Sequence, residues 1–473
     1  MSKKLFHVII AIVAVIIFAQ CSKKAPENPK PLSYDTRLKS FSFNQKNNPQ
    51  LSENLSGIIH SDVVYVTVPD GVNINSLVPT INVQEGLEIY INNNKIENSV
   101  SKIDFSNTID LTIKSPDGSK QKGYYVLVKN GNRVIDRKVY DVMLEYDIPG
   151  ISISATKNEK LVYSSGYGFA DISTRERVTP KHLFRIASMS KSQTAMCIMK
   201  LYEEGKLSLD QTIFGEGGIL EEEFGTSMPN RAKSVTIKNF LEHNSGWTSD
   251  PVDPCFTGNG TYYGKSLKER IAYVVNNVTQ SYNPGIKYSY YNLGYGVLGM
   301  IIEKLSGKEY EKYLKEEIHA QAGVKDIHVG GDLSHRRKNE VIYYSQSGTN
   351  GYGNDMQVIK ALGGIIASTD ELMTLMSCVD YGTVVPDILK PSTLDIMYTP
   401  SKSYEHYGLG WRLNHSVFTD WASYHSGNLA GTASLWVRGD NGVNAVILCN
   451  SRSYESGYDT ALYEIIEKVI NTL

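Results

Sequence analysis

The period of the hydrophobic pattern changes near Asn130-Gly131, and this change constrains the fold more than any other feature of the chain. Between about residues 34 and 130, apolar and polar residues alternate in short runs, which is typical of strands that bury one face. Beyond this point the apolar residues of Val134–Tyr146 recur at helical spacing, and strands and helices then mix. A chain of 473 residues is also too long for one ordinary core. The sequence therefore predicts two folded domains of different class.

The first domain, residues 34–131, is predicted to be a small immunoglobulin-like β-sandwich. Asp70-Gly71 and Pro116-Asp117-Gly118 place turns between its runs, and strands at this spacing without long helices are typical of such sandwiches. It resembles the immunoglobulin-like modules at the front of lipid-anchored surface proteins in Bacteroidetes-type bacteria, and we favour a spacer role over ligand binding. The candidate strands are Leu38–Phe43, Val63–Val68, Leu87–Ile91, Ile109–Ile113 and Tyr124–Val128.

The second domain, residues 132–473, is predicted to combine an antiparallel sheet with helices in an α+β arrangement. Strand patterns occur at both of its ends, and a long helical segment reaching about Ala367 separates them. We therefore expect the two ends to share one sheet, with an all-helical insertion between them. An amphipathic helix, Leu462–Leu473, closes the chain. The candidate strands are Ile151–Ala155, Lys160–Ser165, Ala422–His425, Ala433–Val437 and Val443–Leu448.

Residues 1–21 predict export and attachment to a membrane. Two lysines precede a nearly unbroken apolar run, Leu5–Phe18, and its length of about fourteen residues suits a signal peptide rather than a bilayer span. The end of the run resembles a bacterial lipoprotein signal, which implies that Cys21 is lipidated; the alternative is an uncleaved short anchor. Residues 22–33 predict a flexible tether. Both alternatives place the protein in the cell envelope, and the lysines after Cys21 favour the periplasmic side.

Composition and cysteine spacing exclude several partners. A net charge of −2 provides no basic surface for nucleic acid. Export permits disulfides, but nothing in the spacing selects a pairing. We predict no metal site and no cofactor, because the remaining cysteines form no C-x-x-C pair and have no histidine at metal-ligand spacing. These are Cys197, Cys255, Cys378 and Cys449.

Ser188 and Lys191 form an S-x-x-K pair in the setting of a catalytic nucleophile. Two strand patterns precede it, and it opens a predicted helix that runs to Glu204, with Gly205 just past its end. A three-residue offset places both side chains on one helical face, and the helix N-terminus favours the negative charge that develops when serine attacks a carbonyl. As a base, Lys191 needs a pKa lowered from about 10.4 to roughly 7.4, which costs about 4 kcal/mol.

Two further elements follow in the chain. Tyr290 and Asn292 form a Y-x-N triplet within Pro284–Gly299; a phenol near a lysine can relay a proton, and a carboxamide can orient a substrate amide. His425-Ser426-Gly427 ends a strand pattern and offers a side chain and backbone N–H groups to a cleft. Context rather than the short patterns selects these elements, because the patterns recur at Ser99–Lys102, Ser119–Lys122, Tyr90–Asn92 and His328–Gly330.

The order S-x-x-K, Y-x-N and H-S-G resembles the serine β-lactamase and penicillin-binding-protein superfamily. The similarity is to the branch of class C β-lactamases, low-molecular-mass DD-peptidases and related esterases, and it covers roughly residues 134–473. It implies an antiparallel sheet flanked by helices, an all-helical subdomain, and an enzyme that forms an acyl-enzyme. Further motifs of that branch are Phe240–Trp247, Leu362–Thr369 and Tyr407–Trp411.

The resemblance assigns the steps of acyl transfer to particular residues. It makes Ser188 the nucleophile and gives the proton transfers to Lys191 and Tyr290, without deciding which of the two is the base. It implies an oxyanion hole formed by the backbone N–H groups of Ser188 and Asn428.

The same resemblance assigns substrate binding. Asn292 would hold the substrate amide, and His425, Ser426 and Gly427 would line the substrate site, with His425 facing a substrate carboxylate or the proton relay. Most β-lactamases of this fold have lysine at the position of His425, whereas an ordinary imidazole is only about a quarter charged at pH 7. We therefore expect weaker or pH-dependent carboxylate recognition, which disfavours a β-lactamase role. His243 also lies in a family motif, and we interpret it as a structural turn residue.

The sequence thus predicts a serine hydrolase that acts on peptides or amides of the DD-peptidase type. The alternatives within the same class are a class C-like β-lactamase and a carboxylesterase, so the substrate is a peptidoglycan-like peptide, a β-lactam or an ester. A non-catalytic binding protein or sensor at the cell surface is the alternative from a different class. The presence of Ser188, Lys191, Tyr290 and Asn292 together argues against that alternative.

Overall fold

The computed structural model of the protein describes residues 34–248, 253, 255, 262, 264–418 and 420–473. The predicted signal peptide with Cys21 and the tether lie outside the described residues. Within the described part of the chain, no helix is both long enough and apolar enough to cross a membrane.

Residues 34–131 form a β-sandwich whose two sheets enclose one apolar core. Its strands are β1 (Ser40–Phe43), β2 (Leu55–Ser56), β3 (Ile58–His60), β4 (Val63–Val68), β5 (Thr80–Asn82), β6 (Glu88–Ile91), β7 (Asn94–Lys95), β8 (Ile109–Lys114) and β9 (Gln121–Asn130). The smaller sheet has the order β2–β1–β5 and the larger one β3–β4–β9–β8–β6–β7. Alternation along the strands directs Phe41 and Phe43 of one sheet and Val64, Val66 and Leu111 of the other into the shared core.

The sandwich agrees with the fold predicted for this region. The long strands lie where the alternating pattern predicts them, with ends that shift by a few residues. The structure adds β2, β3, β5 and β7, which are two or three residues long and therefore too short to show a period. In the larger sheet β4 pairs in parallel with β9, a long-range pairing that no local pattern indicates. The immunoglobulin-like type stays a prediction.

Residues 132–473 are built around an antiparallel sheet to which both ends of the segment contribute. The strands are β10 (Gly150–Lys157), β11 (Lys160–Asp171), β12 (Glu176–Arg177), β13 (Phe184–Arg185), β14 (His328–Val329), β15 (Ile365–Ala367), β16 (Arg412–Leu413), β17 (Trp421–Leu429), β18 (Thr432–Gly439) and β19 (Val443–Cys449). The sheet has the order β12–β11–β10–β19–β18–β17–β16. Because β10 pairs along its length with β19, the predicted sharing of one sheet is confirmed.

Helices cover both faces of this sheet. They are α1 (Arg133–Glu145), α2 (Ser190–Glu203), α3 (Glu221–Phe224), α4 (Asn230–Lys233), α5 (Ile237–Leu241), α6 (Leu267–Asn277), α7 (Asn292–Ser306), α8 (Tyr310–Leu314), α9 (Thr369–Met376), α10 (Pro391–Met397) and α11 (Tyr458–Thr472). Helices α1 and α11 pack on one face, against Ile153 and Ile447 among others. Helix α2 and the helical segment cover the other face, against Trp436 and Leu448. Helix α2, which follows Ser188, therefore lies inside the core.

The segment between the two halves of the sheet is not all-helical, contrary to the prediction. Strands β13, β15 and β14 form a small antiparallel sheet in that order. These strands are two or three residues long, so they leave no alternating pattern in the sequence. The sheet holds the chain just before α2, where the backbone N–H of Ile186 donates to the carbonyl of Ile365 at 3.0 Å.

The cysteines after Cys21 do not form disulfides. Cys197, Cys255, Cys378 and Cys449 are buried free thiols. In the described part of the chain, no group of three histidine, cysteine or acidic side chains is placed to hold a metal ion.

A buried ion pair joins the two modules where the chain passes from one to the other. Nζ of Lys129, in β9, lies 3.3 Å from Oδ2 of Asp136, in the first turn of α1. The buried Asp136 carboxylate also accepts hydrogen bonds from Oγ1 of Thr67 at 2.8 Å and from the phenol of Tyr167 at 2.6 Å. Burial lowers the pKa of Lys129 to about 8. One polar cluster thus connects β4, β9, α1 and β11.

Removing one partner of this pair should destabilise the protein more than removing both. Asp136→Ala leaves the Lys129 ammonium buried and unpaired, so we expect the free energy of unfolding to fall by about 3–5 kcal/mol. Lys129→Met combined with Asp136→Leu buries no charge and should recover part of that loss. Calorimetry of both variants beside the parent protein measures the difference. A double variant no more stable than Asp136→Ala would contradict this role of the ion pair.

Candidate active site

Ser188 lies in a sharp turn between the small sheet and α2. A 3-10 helix, Ala187–Met189, follows β13, and α2 begins directly after it, two residues later than the predicted helix start. Ala187 has a φ of 49°, in the left-handed region that residues with a Cβ seldom adopt. From His182 to Met199, Ser188 is the one residue that is not buried. The turn therefore presents its hydroxyl at the surface of an otherwise buried segment.

Lys191 lies behind Ser188 with its ammonium group in the core. Its Nζ is 3.1 Å from Oγ of Ser188 and donates to the carbonyl of Leu362 at 2.7 Å. Burial lowers the pKa of Lys191 to about 7, although the Asp253 carboxylate acts in the opposite direction. Lys191 is therefore largely neutral above pH 7 and is placed to accept the Ser188 proton. The pKa is close to the value that the sequence argument requires.

Tyr290 approaches Ser188 from another side. Its phenol forms a hydrogen bond with Ser188, and Nζ of Lys191 lies 4.9 Å from the centre of its ring. Burial raises the pKa of Tyr290 well above its ordinary value, so the phenol keeps its proton near neutral pH. Of the two residues that the sequence left open as the base, the geometry and charge favour Lys191, with Tyr290 as a proton donor.

Asn292 begins α7, and the Asp253 side chain orients its amide. Its Nδ2 donates to Oδ2 of Asp253 at 2.6 Å, and because a carboxylate only accepts, this contact fixes the orientation of the amide. Within the described part of the chain, Oδ1 of Asn292 is buried without a partner. It can therefore accept an N–H from a substrate. Sequence reasoning missed Asp253, because a lone aspartate outside any motif gives no signal.

β17 brings the third predicted element against Ser188. A Cβ added at Gly427 would lie 2.3 Å from the carbonyl oxygen of Ile186 and 2.9 Å from the backbone nitrogen of Ser188, so only glycine permits this approach. The tight hairpin between β17 and β18 turns the N–H of Asn428 away from β18. The N–H of Ser188, in the first turn of its helix, has no intrahelical partner. Both predicted oxyanion-hole donors are thus available.

His425 does not have the environment of a substrate-binding cation. Alternation along β17 places Ser426 on the half-exposed face and His425 on the buried one. Nε2 of His425 is 3.1 Å from Oη of Tyr407, and its Nδ1 is 2.7 Å from the carbonyl oxygen of Ser426. Burial, assisted by the charges of Arg412 and Lys191, lowers the pKa of His425 well below its ordinary value. A buried ring with these partners does not suit direct contact with a substrate carboxylate, which is the first of the two roles expected of His425, the other being the proton relay.

Arg412 is a cation near the site that the sequence reasoning missed. Its Cζ lies 5.9 Å from the centre of the Tyr290 ring. Among the described residues, Nε of Arg412 and the phenol of Tyr288 are buried without hydrogen-bond partners, and no carboxylate lies within ion-pair distance of Arg412. These donors suit an anion. The signal that could have found Arg412 is its place directly after the Tyr407–Trp411 motif.

The short patterns that recur elsewhere lie on elements that contain none of the predicted site residues. Ser99–Lys102, Ser119–Lys122 and Tyr90–Asn92 belong to the β-sandwich. His328 is in β14, where its ring is hydrogen-bonded to Asp326. The surrounding sequence, rather than the pattern itself, therefore selected the residues that the fold brings together.

A helix-covered antiparallel sheet with a serine beside a buried lysine defines the serine β-lactamase and penicillin-binding-protein superfamily. Residues 133–469 match the family model described as Beta-lactamase, and the chain belongs to that family. Residues 39–128 match a second family model, described as SGBP, N-terminal. The resemblance found in the sequence is confirmed.

Among curated relatives, Protein flp of Staphylococcus aureus (strain NCTC 8325 / PS 47) is 27% identical over 218 residues, 45% of this chain and 40% of that protein. The chain thus spans less than half the length of such relatives. A putative D-alanyl-D-alanine carboxypeptidase of Escherichia coli O157:H7 is 24% identical over 300 residues, 56% of this chain and 68% of that protein.

Solved structures share the fold. An octameric penicillin-binding protein homologue from Pyrococcus abyssi is 26% identical, with a TM-score of 0.59 over 70% of this chain and 76% of that chain. The D-amino acid amidase of Ochrobactrum anthropi SV3 is 22% identical, with a TM-score of 0.58 over 72% of this chain and 99% of that chain.

The charge state of Lys191 should set the pH dependence of Ser188 acylation. Because the folded pKa is lowered to about 7, Lys191 is protonated below that pH and cannot accept a proton. We expect the acylation rate to rise about tenfold per pH unit below pH 7 and to level off above it. Intact-mass kinetics with an ester or a fluorophosphonate measures this profile.

Two variants distinguish the candidate bases. Tyr290→Phe should acylate more slowly, but its acylation rate should still rise with pH up to about pH 7. Lys191→Met should lose about 10²- to 10⁴-fold in rate and should no longer show this rise. If the pH dependence of the acylation rate is kept in Lys191→Met and lost in Tyr290→Phe, Tyr290 is the base instead.

Proposed function

We propose that this protein is a serine hydrolase that acts through an acyl-enzyme on Ser188. Oγ of Ser188 attacks the substrate carbonyl carbon while neutral Lys191 takes the hydroxyl proton. The N–H groups of Ser188 and Asn428 stabilise the charge on the carbonyl oxygen. The bond to the leaving group breaks as the leaving atom takes the phenol proton of Tyr290. Lys191 then passes the proton that it took from Ser188 to the Tyr290 oxygen.

Hydrolysis of the ester completes the cycle with the same groups. A water molecule attacks the acyl carbon and gives a proton to Lys191, and the ester bond to Ser188 then breaks. The proton returns through Lys191 to Oγ, and the carboxylic acid leaves. The reaction consumes one water and needs no cofactor.

The contact between Ser188 and a buried lysine is the observation that carries this proposal. An ordinary lysine stays charged at neutral pH and cannot act as a base. Here burial lowers the pKa of Lys191 to about 7 at 3.1 Å from the Ser188 hydroxyl. Such burial costs stability, and a protein that only bound ligands would gain nothing from that cost. The contact therefore favours an enzyme over the non-catalytic sensor.

The walls of the site favour a peptide-like substrate that ends in a carboxylate. β16 pairs with β17 only at Tyr424 and Ser423. The edge of β17 beyond Tyr424, toward Ser188, can therefore pair with an extended peptide. Oδ1 of Asn292, which has no partner among the described residues, can accept a peptide N–H, and Arg412 can bind a carboxylate. The carboxypeptidase and amidase among the similar proteins support substrates built from D-amino acids. We therefore propose D-amino-acid peptides or amides.

A class C-like β-lactamase and a carboxylesterase are the alternatives. Both would use the same acylation machinery, and they differ in the substrate and in the rate at which the acyl-enzyme is hydrolysed. The buried, neutral His425 in place of a lysine counts against the β-lactamase. An ester lacking a carboxylate would make no use of Arg412, which counts against the carboxylesterase.

Covalent labelling should identify the nucleophile. We expect the purified protein to gain the mass of a penicillin and, separately, of a fluorophosphonate, and Ser188→Ala to gain neither. Ser99→Ala is the matched control, because Ser99 begins the same S-x-x-K pattern in the sandwich, and it should label like the parent. Intact mass spectrometry over time follows each adduct.

The lifetime and identity of the adducts sort the alternatives. A long-lived penicillin adduct supports the DD-peptidase type, and rapid release supports a β-lactamase. Labelling by the fluorophosphonate alone supports an esterase. If Ser188 forms no adduct with either reagent, the acyl-transfer mechanism is wrong.

Arg412 should discriminate a free carboxylate from its amide. For an N-acyl-D-alanyl-D-alanine peptide, we expect Arg412→Gln to raise KM by about 10- to 100-fold, because one charge-assisted contact is lost. For the same peptide with a C-terminal carboxamide, KM should change by less than about threefold. Arg412→Lys keeps the charge and should fall between the two. Equal losses for both substrates would contradict carboxylate recognition by Arg412.

We also propose that the protein is exported and anchored by lipid to the cell envelope, facing the periplasm. The charged start, apolar run and Cys21 support this proposal. The mass of the mature N-terminus tests it, since lipidation adds acyl chains to Cys21, and an unmodified Cys21 in the mature protein would refute it.

A further inference from the structure

Three buried side chains behind the reaction centre form a hydrogen-bonded chain that acyl transfer does not use. His243 lies in the turn after α5 with a φ of 55°, Tyr407 lies before β16, and His425 is in β17. Nε2 of His243 is 3.2 Å from Oη of Tyr407, which is 3.1 Å from Nε2 of His425. The ring centroids of His243 and Tyr290 are 4.2 Å apart. The chain therefore packs directly against a residue of the reaction centre.

Backbone groups at both ends fix the direction in which the chain donates. The N–H of Tyr291 donates to Nδ1 of His243 at 3.1 Å, so the proton of the neutral ring is on Nε2. At the other end, Nδ1 of His425 lies 2.7 Å from the carbonyl oxygen of Ser426, which only accepts. Nδ1 of His425 therefore carries the proton, and its Nε2 accepts. It follows that His243 donates to Tyr407 and that Tyr407 donates to His425.

This direction opposes protonation of either histidine. A proton on Nδ1 of His243 would face the N–H of Tyr291. A proton on Nε2 of His425 would leave the buried hydroxyl of Tyr407 without its acceptor, which costs about 1–3 kcal/mol. Burial and the neighbouring positive charges lower the pKa of both rings as well.

The surroundings of the chain reinforce its neutrality. Glu242, beside His243, directs its carboxylate to Asn244 and Ser401. Among the residues that the structure describes, none of the other titratable groups facing the chain is negative at neutral pH. They are Lys191, Tyr288, Tyr290, Tyr295 and Arg412.

We propose that His243 and Tyr407 are positioning residues that hold His425 as a neutral ring protonated on Nδ1. The third motif then supplies no titrating cation, and the positive charge for a substrate carboxylate comes from Arg412, which stays charged throughout the histidine range. The His425 ring therefore adds no pH dependence to substrate binding where a free histidine would titrate. This kinetic consequence rests on the proposed function, whereas the protonation state of His425 does not.

Histidine-selective ¹⁵N NMR of the full-length protein tests the proton positions directly, because protonated and unprotonated ring nitrogens resonate at distinct frequencies. We expect His425 to be protonated on Nδ1 and His243 on Nε2, both unchanged between about pH 5.5 and pH 8. His243→Asn and His425→Gln assign the signals by their loss.

Two variants test the positioning role. Tyr407→Phe keeps the ring and removes only the hydroxyl. His243→Asn keeps an acceptor for the N–H of Tyr291 and suits a positive φ, but it removes the donor to Tyr407. In either variant we expect the His425 proton to distribute over both ring nitrogens. The pH dependence of KM for a carboxylate-bearing peptide between about pH 5.5 and pH 8 should then differ from that of the parent by about three- to tenfold.

The outcomes separate this inference from the proposed function. A parent His425 that titrates between about pH 6 and pH 7, or that is protonated on Nε2, would overturn the inference. An unchanged His425 tautomer in both variants would show that the Ser426 carbonyl alone sets it, and the positioning role would be wrong. Because NMR needs no turnover, a protein that hydrolyses nothing but shows the expected tautomers would refute the function and leave this inference standing.

Discussion

The burial of the Lys191 ammonium group is the constraint on which the catalytic module depends. Lowering its pKa from 10.5 to about 7 corresponds to a cost on the order of 5 kcal/mol at low pH, where both the folded and the unfolded chain carry the charge. The surrounding structure has to offset that cost. From Ser190 to Met199 every residue of α2 is buried, because the large sheet packs on one side of the helix and the helical segment on the other. A surface helix could not hold a lysine in this state.

The same constraint explains why the histidines behind Ser188 are neutral. A positive charge on His425 would lower the pKa of Lys191 further, and a base becomes weaker as its pKa falls. Neutral rings leave Lys191 with a pKa near 7, where it is free of its proton yet still basic. Arg412 can stay charged because it is not part of the proton transfer. In the proposed mechanism, acyl transfer and carboxylate binding thus rely on different side chains. Lys191 titrates and acts while neutral, whereas Arg412 stays charged.

Local patterns predicted the elements that bury one face, and they failed where the determining contact is long-range. The strands Val63–Val68 and Val443–Cys449 and the helix containing Lys191 follow from periodicity and end signals. Parallel pairing of β4 with β9 joins residues about sixty positions apart, which no period records. The order and setting of the motifs picked out residues that the fold brings close to Ser188, but they did not point to Asp253 or Arg412. The charge state of His425 could not be predicted in this way, because a histidine suggests a titrating group. Only the burial and the partners of the ring show that it is neutral.

The junction between the modules bears on the role of the sandwich. A flexible spacer would be joined through exposed, polar residues, whereas here the buried Lys129–Asp136 pair lies at the joint. Tyr65 of the sandwich stacks on Tyr140 of α1 with ring centroids 4.7 Å apart. Arg175 of the catalytic module forms a second contact, an ion pair with Asp110 of the sandwich at 2.7 Å. These contacts pack the sandwich against the catalytic module, which agrees better with a spacer of fixed orientation than with a flexible one.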